Sequence, residues 1–94
     1  MMKKFKINGL DKKALDDFLM SNEHEVWCLI IDAVEECVEN DLDERQVFEI
    51  EPEIDKLFVF RNTFQTTLET GLKIFEGYED YENCAKCQKI INEL

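Results

Sequence analysis

Among 94 residues there is one serine, one histidine, one proline and three glycines, and basic side chains are half as numerous as acidic ones. Each shortage excludes something. Ser21 and His24, the only candidates of their types, stand at an i, i+3 spacing better explained by helix initiation than by a nucleophile and its base. A di-iron bundle draws on two Glu-x-x-His motifs, which a single histidine cannot supply. Gly9, Gly71 and Gly77 match neither G-x-G-x-x-G nor G-x-x-x-x-G-K-[ST], so no phosphate loop is encoded. No stretch nears the roughly 18 consecutive apolar residues of a membrane span, and Met1-Met2-Lys3-Lys4-Phe5-Lys6 runs into no apolar signal core. The expectation is a soluble, cytoplasmic protein that is not an enzyme, takes no cofactor and meets no membrane.

What is present is acid. The chain carries 22 acidic and 11 basic residues, for a net charge of -11, yet 45% hydrophobic and 11% aromatic content is enough for a globular core. One domain over 1–94 is expected, since a chain this short buries only about two-thirds of the surface its unfolded form exposes. The charge is unevenly spread. Residues 1–13 hold five lysines against Asp11, whereas residues 32–55 hold eleven acids against Arg45 alone. Clustered phosphate-neutralising cations are therefore missing except at Lys3, Lys4, Lys6, Lys12 and Lys13, and direct nucleic-acid binding is disfavoured.

Periodicity organises the chain. Lysines alternate with Phe5 and Ile7 in a short edge strand over 2–7, followed by the Asn8-Gly9 turn. Asp11 caps a short helix with Ala14, Leu15, Phe18 and Leu19 on one face, ending near Ser21. Asn22 and Glu25 make a capping-box pattern for a second helix, roughly Glu23 to Glu39, with Val26, Leu29, Ile30, Ala33, Val34, Cys37 and Val38 at helical spacing. Its other face carries Asp32, Glu35, Glu36 and Glu39, whose like charges cost a few tenths of a kcal/mol per pair. The middle reads two ways. A hairpin of 46–51 with 57–61 competes with a long helix from Pro52 along Ile54, Leu57, Phe58, Phe64, Leu68, Leu72 and Phe75. The hairpin is favoured, with a helix from near Asn62 to a Gly77 C-cap. Asp80 then caps a last helix with the stripe Tyr81, Cys84, Cys87 or Gln88, Ile91 and Leu94. The expected fold is α+β, a mostly helical single domain with a small β-hairpin and a C-terminal helical hairpin over about 62–94; an all-α helical bundle is the alternative. Trp27, Phe18, Phe58, Phe64, Leu68 and Phe75 are its expected core.

Within Leu68 to Leu94, the acidic-aromatic turn Asp80-Tyr81, the small pair Cys84-Ala85 and the spaced Cys87, Ile91 and Leu94 resemble the UVR motif. That motif is a helical hairpin of nucleotide-excision-repair subunits and some protease-adaptor proteins. Cys87 stands where the motif has leucine, and Gln88-Lys89 where it has Arg-Asp. The resemblance implies pairing with another helical hairpin, with Tyr81, Cys84, Cys87 and Ile91 as packing residues, and implies no catalysis.

Cys84-Ala-Lys-Cys87 offers two thiolates, and His24 and Cys28 share a helix face at i, i+4, so His24, Cys28, Cys84 and Cys87 are the zinc candidates. The plainer reading, and the one preferred, is no metal, with reduced cysteines as small core residues. Cys37 lies half a turn out of phase with Cys28 and cannot join them. A thioredoxin-like redox role lacks its βαβ frame.

The acids at Asp32, Glu35, Glu36, Glu39, Asp41, Asp43 and Glu44 have three readings: a solvated surface, a docking face for a basic protein groove that includes mimicry of nucleic acid, or weak divalent-cation binding. Asp41-Leu-Asp43-Glu44 is too short for an EF-hand. The functional expectation is a small acidic inhibitor or adaptor that docks on a basic surface of a larger protein. At class level the chain resembles the accessory proteins with which bacteriophages block host enzymes. The alternative is a structural or assembly subunit, including a homo-oligomer, that associates through the C-terminal hairpin.

Overall fold

The computed structural model describes residues 4–6, 12–51 and 56–94. The expected Asn8-Gly9 turn, the Asp11 cap, Pro52 and Ile54 lie outside the described residues, as do the side chains of Ala14, Leu15, Ile50 and Leu57. In chain order the elements are β1 (Lys4–Lys6), α1 (Lys12–Ser21), α2 (Glu23–Asn40), β2 (Glu44–Glu51), β3 (Lys56–Phe60), a 3₁₀ turn (Arg61–Thr63), α3 (Phe64–Gly77) and α4 (Tyr81–Glu93). Four helices and a small sheet make the fold α+β and mostly helical, which sets aside the all-α bundle and the long helix from Pro52.

The sheet has the order β1-β2-β3. β1 pairs in parallel with β2, in a register that sets Lys4 opposite Glu49 and Lys6 opposite Glu51. Parallel neighbours need a long crossover, and α1 with α2 supplies it. β2 and β3 form the antiparallel hairpin, from Glu44 opposite Phe60 to Glu49 opposite Lys56, with an irregularity between Gln46 and Phe48. That bulge turns two successive side chains inward, Val47 and Phe48, at 8% and 1% exposure. The hairpin is displaced from the expected 46–51 and 57–61. β2 starts at Glu44, and Arg61 leaves the sheet for the 3₁₀ turn while its N–H donates to the Asp43 carbonyl at 2.7 Å.

One core joins the layers. α2 contributes Val26, Ile30, Ile31, Ala33, Val34 and Cys37; the sheet contributes Val47, Phe48 and Val59; α3 and α4 contribute Phe64, Leu68, Phe75, Cys87 and Ile90. Each fully buried large side chain stabilises the fold by roughly 1.5–3 kcal/mol. Phe18 and Trp27 pack against this core half-buried. α2 and α3 approach closely at Gly71, where an added Cβ would lie 2.9 Å from Ile31 Cδ1 and 3.4 Å from Trp27 Cε3.

Several local expectations are corrected. Asn22 forms no side-chain cap on α2; its amide donates back to the Phe18 carbonyl at 2.9 Å, closing α1 instead. Gly77 is the last residue of α3 and not a left-handed cap, the positive φ of 57° falling on Glu79. Phe58 is 38% exposed because it points away from Val59, which faces the core. On α4 the buried stripe runs through Cys87 and Ile90, whereas Tyr81 and Leu94 are exposed. Asp80 does cap α4, accepting from the Asn83 backbone N–H at 3.2 Å. No helix among the described residues is long and apolar enough to cross a membrane.

Candidate functional site

The amphipathic pattern of α2 that buries Ile30, Val34 and Cys37 necessarily turns Asp32, Glu36 and Glu39 outward. The helix ends in a left-handed Asp41, with φ 53°, a conformation that aspartate tolerates. The chain then reverses through Leu42 and Asp43 into β2. All seven candidate docking acids thus lie on α2, its turn and the start of β2, and only Glu35 among them is half-buried.

Most of these carboxylates already have a cation. Lys86 of α4 reaches both Asp32 and Glu35, the latter at 3.3 Å, and Arg45 of β2 pairs with Glu36. Arg61 binds Asp43 Oδ1 through Nε at 2.6 Å, Asp41 Oδ1 through Nη2 at 2.9 Å and the Leu42 carbonyl at 3.2 Å. Hydrogen bonds to Asp43 and Asp41 push the Arg61 pKa above its ordinary value. Burial works against the Lys86 charge, but Asp32 and Glu35 together outweigh it and leave its pKa raised. Among the described residues no ion pair joins Glu39 or Glu44. The array is therefore a braced surface with a residual negative charge, not a bare row of carboxylates.

An apolar feature adjoins it. Phe58 and Phe60 project from the outer side of β3, 38% and 45% exposed, with ring centroids 6.1 Å apart and planes within 25° of parallel. The register places Gln46 and Glu44 opposite them, so an aromatic pair and an acid share one face of the hairpin. Arg61 follows Phe60 directly and ties this face to Asp41 and Asp43.

The C-terminal hairpin presents less. Phe64, Leu68, Phe75, Cys87 and Ile90 spend their apolar surface inside the molecule, and Cys84 and Ile91 pack half-buried against the same core. Tyr78, Tyr81 and Leu94, at its two ends, are its exposed large hydrophobic side chains.

A second polar group lies where the α3–α4 turn meets the start of α2. His24 Nε2 lies 2.7 Å from Asp80 Oδ2, and the Asn83 side-chain amide donates to the same oxygen at 2.6 Å and to Cys28 Sγ at 3.6 Å. The His24 ring leans on Tyr78, 4.8 Å between centroids, and meets Phe75 edge-on at 5.9 Å. Tyr78 OH donates to Glu23 at 3.1 Å. Bonds from Asn83 and His24 hold the Asp80 carboxyl below the usual range. Burial, then Asp80 and Asp32, push the Cys28 thiol up. A nucleophilic cysteine needs the opposite shift, so these surroundings favour the neutral thiol over the thiolate.

Of the four zinc candidates, His24 and Cys28 come together, and their third neighbour is Asp80. Cys84 instead directs its thiol at the Leu72 carbonyl, 3.8 Å away, and Cys87 is wholly buried, its thiol pushed up by burial to about 11. Asp80 was legible as a helix cap and as part of the Asp80-Tyr81 turn but not as a neighbour of His24, and Asn83, Arg45, Arg61 and Lys86 carry no local spacing that singles them out. Compared with known proteins, the chain matches no family model, no curated protein and no solved structure.

Proposed function

We propose that the chain is a non-enzymatic interaction module, a small acidic inhibitor or adaptor that docks on a basic surface of a larger protein. The observation that carries this reading is the stacked, exposed Phe58–Phe60 pair on the sheet face that also holds Glu44. Interfaces with an aromatic centre and a charged rim gain affinity from the first and rate and register from the second. Here Phe58 and Phe60 are the anchor, and Glu39, Asp41, Asp43 and Glu44 are the rim. Bracing by Arg61 holds the turn in one geometry before a partner arrives, which lowers the ordering cost of binding. The same bracing counts against nucleic-acid mimicry, which needs carboxylates free of internal cations. Assembly through the C-terminal hairpin is the second reading, and it has only Tyr78, Tyr81 and Leu94 to work with.

The test is affinity capture at low and at high salt with three baits: the parent, a Glu39→Lys/Glu44→Lys variant and a Phe58→Ser/Phe60→Ser variant. Glu39 and Glu44 are chosen because reversing them leaves the Lys86, Arg45 and Arg61 pairs in place. A partner held by the parent at low salt and lost to high salt, to the lysines and to the serines supports the proposal. Partners retained by all baits at both salt concentrations, and lost when Tyr81 is changed, would move the interface to the hairpin.

A further inference from the structure

His24, Cys28 and Asp80 each offer one donor atom, and these three atoms lie within 4.8 Å of one another. We infer that His24 Nε2, Cys28 Sγ and an Asp80 carboxylate oxygen form a zinc site whose fourth position is left to water. The donor set decides the metal. One imidazole, one thiol and one carboxylate suit zinc, a borderline-soft ion content with four mixed ligands, whereas magnesium and calcium take oxygen shells.

The fold presents the donors without further rearrangement of backbone. His24 and Cys28 are one turn apart on α2, so both point to the same side. Asp80 arrives from the turn before α4, its Oδ1 tied to the Asn83 backbone N–H at 3.2 Å and its Oδ2 facing His24. A tetrahedral zinc with bonds of about 2.0–2.3 Å holds its donors roughly 3.3–3.8 Å apart. His24 and Asp80 now sit at 2.7 Å, so they open slightly while the thiol closes in, shifts that side-chain torsions absorb. On binding, the Cys28 thiol gives its proton to solvent, and the proton that His24 Nε2 donates to Asp80 in the metal-free chain is released, to Nδ1 by way of solvent when Nδ1 is bare or to solvent when the ring is doubly protonated, which frees the Nε2 lone pair for the metal. Asn83 is the positioning residue: its amide reaches both Asp80 Oδ2 and Cys28 Sγ, the two ligands that carry negative charge in the zinc form. Tyr78 and Phe75 fix the imidazole plane. Asp80 and Asp32 place negative charge near the thiol, which favours a cation there. His24 is 46% exposed, leaving an entry path and room for the water.

The full-length chain, purified in reducing buffer and stripped with chelator, is titrated with zinc against a chromophoric competitor and separately with cobalt. One equivalent should bind, and cobalt should give tetrahedral visible bands with a thiolate charge-transfer band. His24→Gln, Cys28→Ser and Asp80→Asn should each weaken zinc binding at least about tenfold, and Asn83→Ala by about 10- to 100-fold. Asp80→Asn is chosen because asparagine caps a helix as well as aspartate does. Cys84→Ala should leave affinity and the cobalt spectrum unchanged, and circular dichroism confirms that each variant is folded. Failure of the parent to bind one equivalent would overturn the inference. So would binding that survives Cys28→Ser, or that is lost in Cys84→Ala.

Discussion

Replacing Gly71 by alanine sets two opposed effects against each other. In a helix interior alanine is favoured over glycine by about 0.8–1 kcal/mol. Against that, the new methyl would sit 2.9 Å from Ile31 Cδ1, closer than carbon atoms tolerate, so the end of the fully buried Ile31 side chain must shift within the core. Overpacking of this kind costs about 1–3 kcal/mol, so the net effect of Gly71→Ala is a loss of roughly 1 kcal/mol. Ile31→Val removes the clashing Cδ1 at its own cost of about 0.5–1.5 kcal/mol. In that background the methyl fills vacated space and the helix preference is left unopposed, so Gly71→Ala should stabilise by about 0.5–1 kcal/mol. Urea unfolding of the four proteins in the cycle should return a coupling of roughly 1.5–2 kcal/mol, as expected of residues in contact. If Gly71→Ala has the same sign and size in both backgrounds, the close α2–α3 approach is not what requires glycine there.

The bulge and the sheet faces make an equally direct contrast: Phe48→Ala should cost about 3–5 kcal/mol in unfolding free energy, and Phe58→Ala far less. Thiol labelling should separate the cysteines, with half-buried Cys28 and Cys84 reacting before buried Cys37 and Cys87. Because burial raises the Cys87 thiol to about 11, its labelling should remain slow even at pH 9, where an ordinary thiol with a pKa of about 8.5 is mostly ionised. The carboxyl of Asp80 is lowered in the folded chain, so the stability it confers is present above the unfolded value of about 3.9 and is lost as pH falls through the lower folded value. Asp80→Asn should therefore flatten the acid limb of a stability profile measured by denaturant unfolding while α4 stays helical.

Local chemistry carried the helices into view. α2 repeats its apolar residues at 3.6-residue spacing for eighteen residues, and tertiary packing had no reason to override that pattern. The hairpin was visible through β-prone residues on either side of Pro52, but its register was not, because a bulge at Val47 breaks the alternation from which register is read. β1 was visible as an edge strand, while its parallel partner was not, since only the crossover through α1 and α2 brings it to β2. The polar sites were the least legible. His24 and Asp80 are 56 residues apart, Lys86 and Asp32 are 54 apart, and Arg61 and Asp41 are 20 apart. Pairs at such separations leave no periodic trace. Arg61 in particular drew no expectation from the sequence, yet its place after β3 makes it the brace of the α2–β2 turn.

The most direct test of charge-led docking is the association rate of the captured partner, measured by stopped flow from about 0.05 to about 0.5 M ionic strength, where the Debye length shrinks severalfold. For the parent, kon should fall about tenfold or more across that range with little change in the dissociation rate, and Glu39→Lys/Glu44→Lys should start lower and lose less. A kon that is flat with salt and equal for both proteins would contradict docking through the acidic rim.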